Sequence, residues 1–297
     1  MRRALSDTID SAAAELLFRI GKRRAVRGRT GQGIAEAASQ QDYDQWRETR
    51  LETRFIEFFD PKLIAGKDVL DFACGSGALA LFMARSGARK VGGIDLNANG
   101  IETARYLART QGVAADFRLA STTARIDFDD RSWDIVVCWS ALEHIMEYES
   151  VIPEWKRILR PGGKVLIRWG PYFHPYGHHA DVYCPIPWLH VFVSDRVINM
   201  ACSKMVNLPE FNPPFWDLDA NGNRIDRFAG SDTIGHLNHL TIARFERLFR
   251  EAGFRHARRE FQTFTTLRRF PLAEKLLTLP GLREFFTNSA VYELVAP

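Results

Sequence analysis

Two carboxylates and a glycine loop are spaced for chemistry. Asp71 sits near the end of the apolar run DVLDFA, and Cys74-Gly75-Ser76-Gly77 follows at once. Glycines there let the backbone turn sharply and approach a ligand, and a helix opening beyond them offers free N–H groups. Taken alone, G75-S-G77-A-L-A80 matches a dinucleotide fingerprint, a signal that a tight turn can also produce. Asp95 ends a second apolar run, KVGGIDL, 18 residues beyond Gly77. A carboxylate in that position can accept both hydroxyl protons of a ribose.

Asp71 separates two ligand classes. A pyrophosphate would be repelled by a carboxylate beside the loop. A ligand with an ammonium group and a sulfonium would be attracted, which describes S-adenosylmethionine. Asp95 suits the adenosine of either donor and does not choose between them.

A second cluster lies in 170–190, GPYFHPYGHHADVYCPIPWLH. It holds four of the eight histidines, His174, His178, His179 and His190, with Tyr172, Tyr176, Tyr183 and Trp188. No helix or strand period runs through it. Histidine is the side chain best suited to moving a proton near neutral pH. His179 and then His178 are the candidate bases, with Tyr172, Tyr176 and Trp188 shaping an acceptor pocket and His239 nearby in function. His174 and His190 read as turn-holding residues. His178, His179, His236 and His239 lack the carboxylate pattern of a metal site, so no metal is expected.

The elements that must position these residues alternate. Strands are expected at 68–73, 90–96, 115–120, 133–139 and 164–169, with helices at about 78–86, 98–110 and within 141–159. Near-continuous apolar strands fit a parallel sheet buried on both faces. The alternation predicts a doubly wound, Rossmann-like α/β fold. Helical spacing also runs through 5–20 and 42–59. Residues 170–240 interrupt the rhythm; a helix follows Ser194. Thr241 then caps a helix that Gly253 ends, and strands near 255–266 and 288–295 close the sheet. Cys138, Trp139 and Ser140 fall at the carboxyl end of the fourth strand, where such folds bind ligands. Ser140-x-x-Glu143 reads as a capping box, and His144 follows as a third candidate base.

VLDFACGSGALALFMARSGARKVGGIDLNANGIETAR resembles the first two motifs of the class I S-adenosylmethionine-dependent methyltransferases. DDRSWDIVVCWSALEHI and RILRPGGKVLI resemble their fourth- and fifth-strand motifs. The resemblance spans about residues 66–170, with an echo in 241–297. It implies a seven-stranded sheet whose last strand is antiparallel. It implies that Asp71 and Ala73, Cys74, Gly75, Ser76 and Gly77 hold the methionine part of the donor, and Asp95 the ribose. Leu96 and Asn97 would flank the adenine. Ser121-Thr122 stands where the family often has an acidic residue for the adenine amine, and Cys138 and Trp139 join the donor set. His144 is similar to part of the E-x-x-E-H pattern of ubiquinone-type O-methyltransferases, but Ser140 replaces the first glutamate. Four segments follow: an N-terminal helical cap or lid (1–60), a donor-binding core (61–170), a substrate-binding insert (171–240) and a stretch completing the sheet (241–297). Tyr43 and Trp46 would contribute to the lid. The expected activity is methyl transfer to a small-molecule acceptor, O-methylation ahead of N- or C-methylation, with S-adenosylhomocysteine as product. The alternatives are an NAD-dependent oxidoreductase, an RNA or protein methyltransferase, and a catalytically silent partner subunit.

Composition narrows the partners. The 297 residues are 46% hydrophobic and 26% charged, with a net charge of +4. Residues 1–30 carry eight basic and three acidic side chains, so the remainder is near neutral. That disfavours nucleic acid as partner. No apolar run approaches a membrane span, and four scattered cysteines suit a reducing cytoplasm. Apolar surface on the N-terminal helices could pair two chains.

Overall fold

The computed structural model describes residues 2–27, 40–122, 125–209, 211, 224–234, 237–263 and 273–297, with backbone alone for 2–6, 24–27, 40–48 and 273–274. The chain divides into two compact units, one of residues 1–46 and 172–237, the other of 47–171 and 238–297.

The larger unit is built on a seven-stranded sheet. Its strands are β1 (Asp68–Phe72), β2 (Lys90–Asp95), β3 (Asp116–Leu119), β4 (Trp133–Trp139), β5 (Leu159–Trp169), β6 (Arg255–Gln262) and β7 (Ser289–Val295). Their order is β3-β2-β1-β4-β5-β7-β6. β3 through β5 are mutually parallel, and β7 runs antiparallel between β5 and β6. The doubly wound fold and the antiparallel last strand expected from sequence are both present.

All five residues of β1 are buried, because both its neighbours and both its faces are covered. Side chains alternate between the faces. Leu70 and Phe72 enter one core, with Trp155 of α5 (Tyr148–Ile158) and Phe245 and Phe249 of α8 (Ile242–Glu251). Val69 enters the other, with the end of α2 (Gln40–Phe58), α3 (Ala78–Arg85) and α4 (Ala98–Thr110). Phe245 and Phe249 are almost fully buried, and each such ring contributes about 1.5–3 kcal/mol of apolar transfer. Thr241 caps α8 as expected, its side chain accepting from the Arg244 amide at 3.1 Å, and Gly253 follows with a φ of 91°.

Two expectations need correction. The helix within 141–159 is broken into a 3-10 turn, Leu142–His144, and α5. Ser140 does not cap it: Ala141 precedes the turn and no side chain caps there. The cause is Asn238, whose side-chain amide donates to the carbonyls of Leu142 (2.7 Å) and Ile145 (2.8 Å) and pins the turn from far along the chain. Two short helices not read from sequence, Ala273–Thr278 and Pro280–Phe286, precede β7.

In the smaller unit α1 (Arg2–Arg27) lies along α7 (Asp195–Val206). Ala14 meets Val197 and Ala201, and the ion pairs Arg196–Asp7 (2.8 Å) and Lys204–Glu15 (2.5 Å) flank that contact. A second cluster gathers Tyr183, Cys184, Cys202, Phe211 and Phe228. The four cysteines are all buried and none is in a disulfide.

Candidate functional site

The loop after β1 is shaped by backbone conformations that resist substitution. Ala73, Gly75 and Gly77 have φ of 62°, 53° and 81°. At Gly77 an added Cβ would sit 2.8 Å from the Ala104 methyl and 2.9 Å from the Phe117 ring. Only glycine meets both the left-handed φ and the contact with α4 and β3. Gly75 is different, since a Cβ there would meet nothing within 4 Å. Its backbone turns toward open space, as close approach by a ligand requires.

Asp95 holds this loop from the neighbouring strand. One carboxylate oxygen accepts the Gly75 amide and the other accepts the Asn97 amide, both at 2.8 Å. Asn97 in turn caps α4, its side-chain oxygen accepting from Gly100 at 3.1 Å. Gly100 was missed from sequence. A Cβ there would lie 2.9 Å from the Gly75 carbonyl, so its glycine lets α4 close against the loop.

Asp71 is 3% exposed, and its Oδ2 has no hydrogen-bond partner. Burial pushes its pKa up to about 8, the Asp95 charge adds to the rise, and the Ala80 amide opposes it. A buried carboxylate without a full set of partners is costly to ionise. A cation beside it would remove that cost. The donor set therefore fits a ligand that brings an ammonium to Asp71 and a diol to Asp95. It does not suit a pyrophosphate.

The remaining donor-side candidates divide. Ser76 is half-buried, Leu96 and Ser121 are exposed, and Thr122 is half-buried. Cys74 is buried, and burial drives its thiol pKa upward. Cys138 and Trp139 are core side chains: Cys138 is fully buried, and Trp139 packs 5.3–6.0 Å from the rings of Phe55, Phe58 and Phe59. The strained position at this strand end is Ser140, with φ 53°. Its amide donates to the Arg168 carbonyl (2.6 Å), and its hydroxyl accepts from Arg168 Nη1 (2.5 Å). Glu143 is 8% exposed with Oε2 unpartnered, and burial raises its pKa. His144 beside it is exposed. Arg168 carried a readable signal, a charge inside the apolar strand KVLIRW.

In the smaller unit the histidines are mostly tied to backbone. His178 is fully buried; its Nδ1 accepts the Ala180 amide (3.0 Å), so Nε2 carries the proton toward the Ile186 carbonyl (3.2 Å). Burial, then the His190 ring, push its pKa down to about 4. Both ring nitrogens are thus bonded to backbone. His174 Nδ1 accepts the Tyr176 amide, and His190 Nε2 bonds the Tyr172 carbonyl. His179 is half-buried in a left-handed conformation, φ 47°, as is Trp188, φ 57°. Gly177 is required here: a Cβ would fall 1.8 Å from the Tyr172 carbonyl oxygen. Tyr172 and Tyr176 are half-buried, and burial raises the Tyr172 pKa. His239, in the larger unit, is exposed. The side chains of Tyr43 and Trp46, and all of His236, lie outside the described residues. Among the described residues no cluster of three metal-ligating side chains forms, and no helix is long and apolar enough to cross a membrane.

The seven-stranded sheet with this order, and a glycine loop braced by Asp95, make the Rossmann-like fold expected from sequence. Residues 69–163, about a third of the chain, match the family described as "Methyltransferase domain". It is 39% identical over 100 residues to a ubiquinone biosynthesis O-methyltransferase of Pectobacterium atrosepticum, a match covering 34% of this chain and 41% of that protein. A protein of the same description from Pseudomonas aeruginosa is 38% identical over 104 residues, 35% of this chain and 44% of the relative. The match thus spans about two-fifths of these relatives' length. Among solved structures, geranyl diphosphate methyltransferase in complex with S-adenosylmethionine is similar with a TM-score of 0.55 and 16% identity, over 93% of this chain and 95% of that one. A Pyrococcus horikoshii protein, PH0226, gives 0.51 at 17%, over 88% and 94%. These likenesses support the fold.

Proposed function

We propose that this chain transfers a methyl group from S-adenosylmethionine to a hydroxyl of a small-molecule acceptor. The donor, when bound, supplies a methyl sulfonium open to in-line displacement. The observation that carries the reading is Asp71, a buried carboxylate with an unmade bond beside a glycine loop that opens to ligand. Asp71 takes the donor's ammonium, and Gly75 and Ser76 take its methionine end against backbone. Asp95 keeps lone pairs for a ribose while holding the loop. The ubiquinone-pathway relatives favour oxygen as the accepting atom.

On the acceptor side we assign His179 as the proton acceptor, with Tyr172, Tyr176 and Trp188 as contacting residues. His179 is half-buried, its ring 6.1 Å from that of His174, whereas His178 holds the loop through both nitrogens. Enzymes of this kind work largely by alignment and exclusion of water. Parallel calorimetric titrations with S-adenosylmethionine, S-adenosylhomocysteine and NAD test the donor. Micromolar-range binding of the first two and none of NAD is expected. Binding of NAD alone would overturn the reading.

A further inference from the structure

Arg168 differs from two other partly buried arginines, Arg157 of α5 and Arg160 of β5. Arg157 is clamped by Glu154 (2.8 Å) and Asp130 (2.6 Å), and Arg160 by Asp68 and Asp134, both at 2.8 Å. Each is paired with two carboxylates. Arg168 stands at the carboxyl end of β5, opposite Trp139 of β4, and no ion pair joins it among the described residues. Its Nη1 donates to Ser140, which fixes one edge of the guanidinium. Its Nε is shielded from water and has no partner.

The surroundings compensate the charge only in part: the Trp139 ring lies 5.9 Å from the guanidinium. Burial disfavours the cation, and Arg54 and Arg50 of α2 act in the same direction; Glu143 and Glu57 oppose them. Glu57 is already engaged by Arg54 at 2.7 Å. Burial raises the Glu143 pKa, with the charges of His144 and Arg168 acting against the rise, and no ion pair joins Glu143 to Arg168 among the described residues. A guanidinium with Nη1 held by Ser140 and Nε without a partner keeps donor capacity for the oxygens of a carboxylate or phosphate. Strand ends on this edge of a doubly wound sheet are where ligands bind.

We propose that Arg168 anchors an anionic group, a carboxylate or a phosphate, on the methyl acceptor, so that the acceptor is an acid. The inference rests on the methyl-transfer reading for the word acceptor, but the anion site can be tested without it. Arg168 is a positioning residue: it fixes the anion, and Ser140, held in a left-handed conformation, fixes Arg168.

The test uses the full chain, with and without saturating S-adenosylhomocysteine. Calorimetry follows benzoate, its neutral isostere benzamide, and phenyl phosphate. Wild type is expected to bind one of the anions about tenfold more tightly than benzamide, and Arg168→Met to lose about tenfold of that affinity. Arg168→Lys keeps the charge without the fork and should retain part of it. S-adenosylhomocysteine affinity should stay within about twofold in both variants, which also shows that they fold. The tighter of the two anions tells carboxylate from phosphate. Equal binding of benzamide, undiminished anion binding by Arg168→Met, or no anion binding at millimolar concentration overturns the proposal. Failure of wild type to bind S-adenosylhomocysteine, with the anion arms intact, defeats the donor reading and leaves the anion site standing.

Discussion

The loop after β1 and the histidine-rich loop both bury titratable groups among left-handed residues, yet they differ in how those groups are satisfied. In the first, Asp71 keeps an oxygen with no partner and a pKa raised to about 8. In the second, His178 spends both nitrogens on backbone. A buried polar group with its bonds made belongs to the architecture; one with a bond missing beside an open loop has capacity to take a ligand. Residue type alone would have ranked the two loops the other way, because histidines attract attention as bases.

The substitutions that break this contrast most severely act on the loop's shape. Gly77→Val places a branched side chain at φ 81° and against Ala104 and Phe117. It should cost about 3 kcal/mol or more in stability and abolish donor binding, read by denaturant unfolding and calorimetry. Asp95→Ala comes next. It releases the Gly75 and Asn97 amides together and removes the ribose acceptor, so donor affinity should fall about 100-fold while the protein stays folded. Unchanged affinity would remove Asp95 from the donor site.

Smaller effects sharpen the comparison. His178→Ala should destabilise the protein by about 1–3 kcal/mol, since it strands the Ala180 amide, and leave donor affinity unaltered. His179→Ala should do the reverse, reducing turnover by about 100-fold with little change in unfolding. Full activity of His179→Ala would end its role as base. Asp71→Asn has a sign set by linkage. Ligand-free, the native protein holds a proton on Asp71 between the unfolded value near 4 and the folded value of about 8, which the unfolded chain has given up. Asp71 therefore stabilises the protein at low pH relative to high, and this contribution is lost as pH rises through that window. Asp71→Asn should flatten that decline, seen as a melting temperature less dependent on pH from about 4 to 8.

The sheet was legible because its strands are apolar runs bounded by glycine and polar loops, and the two carboxylates proposed for the donor were legible because each lies at or near the end of such a run. The break between Leu142–His144 and α5 was not legible. Ser140-x-x-Glu143 mimics a capping box, and Asn238, which overrides it, lies outside any local window. Arg168 was visible as a charge in an apolar strand, but its lack of a carboxylate partner is a fact of packing. The split between His178 and His179 is likewise invisible in adjacent letters of the sequence. It depends on which ring reaches the Ile186 carbonyl.

The most direct test of the account is the proton released when S-adenosylhomocysteine binds at pH 7, measured by calorimetry in two buffers of different ionisation enthalpy. If the ligand's ammonium pairs with Asp71, wild type should release close to one proton, because Asp71 is mostly protonated beforehand. Asp71→Asn should release none. Tight binding by wild type without proton release would contradict the central claim that the buried, unpartnered carboxylate receives the donor.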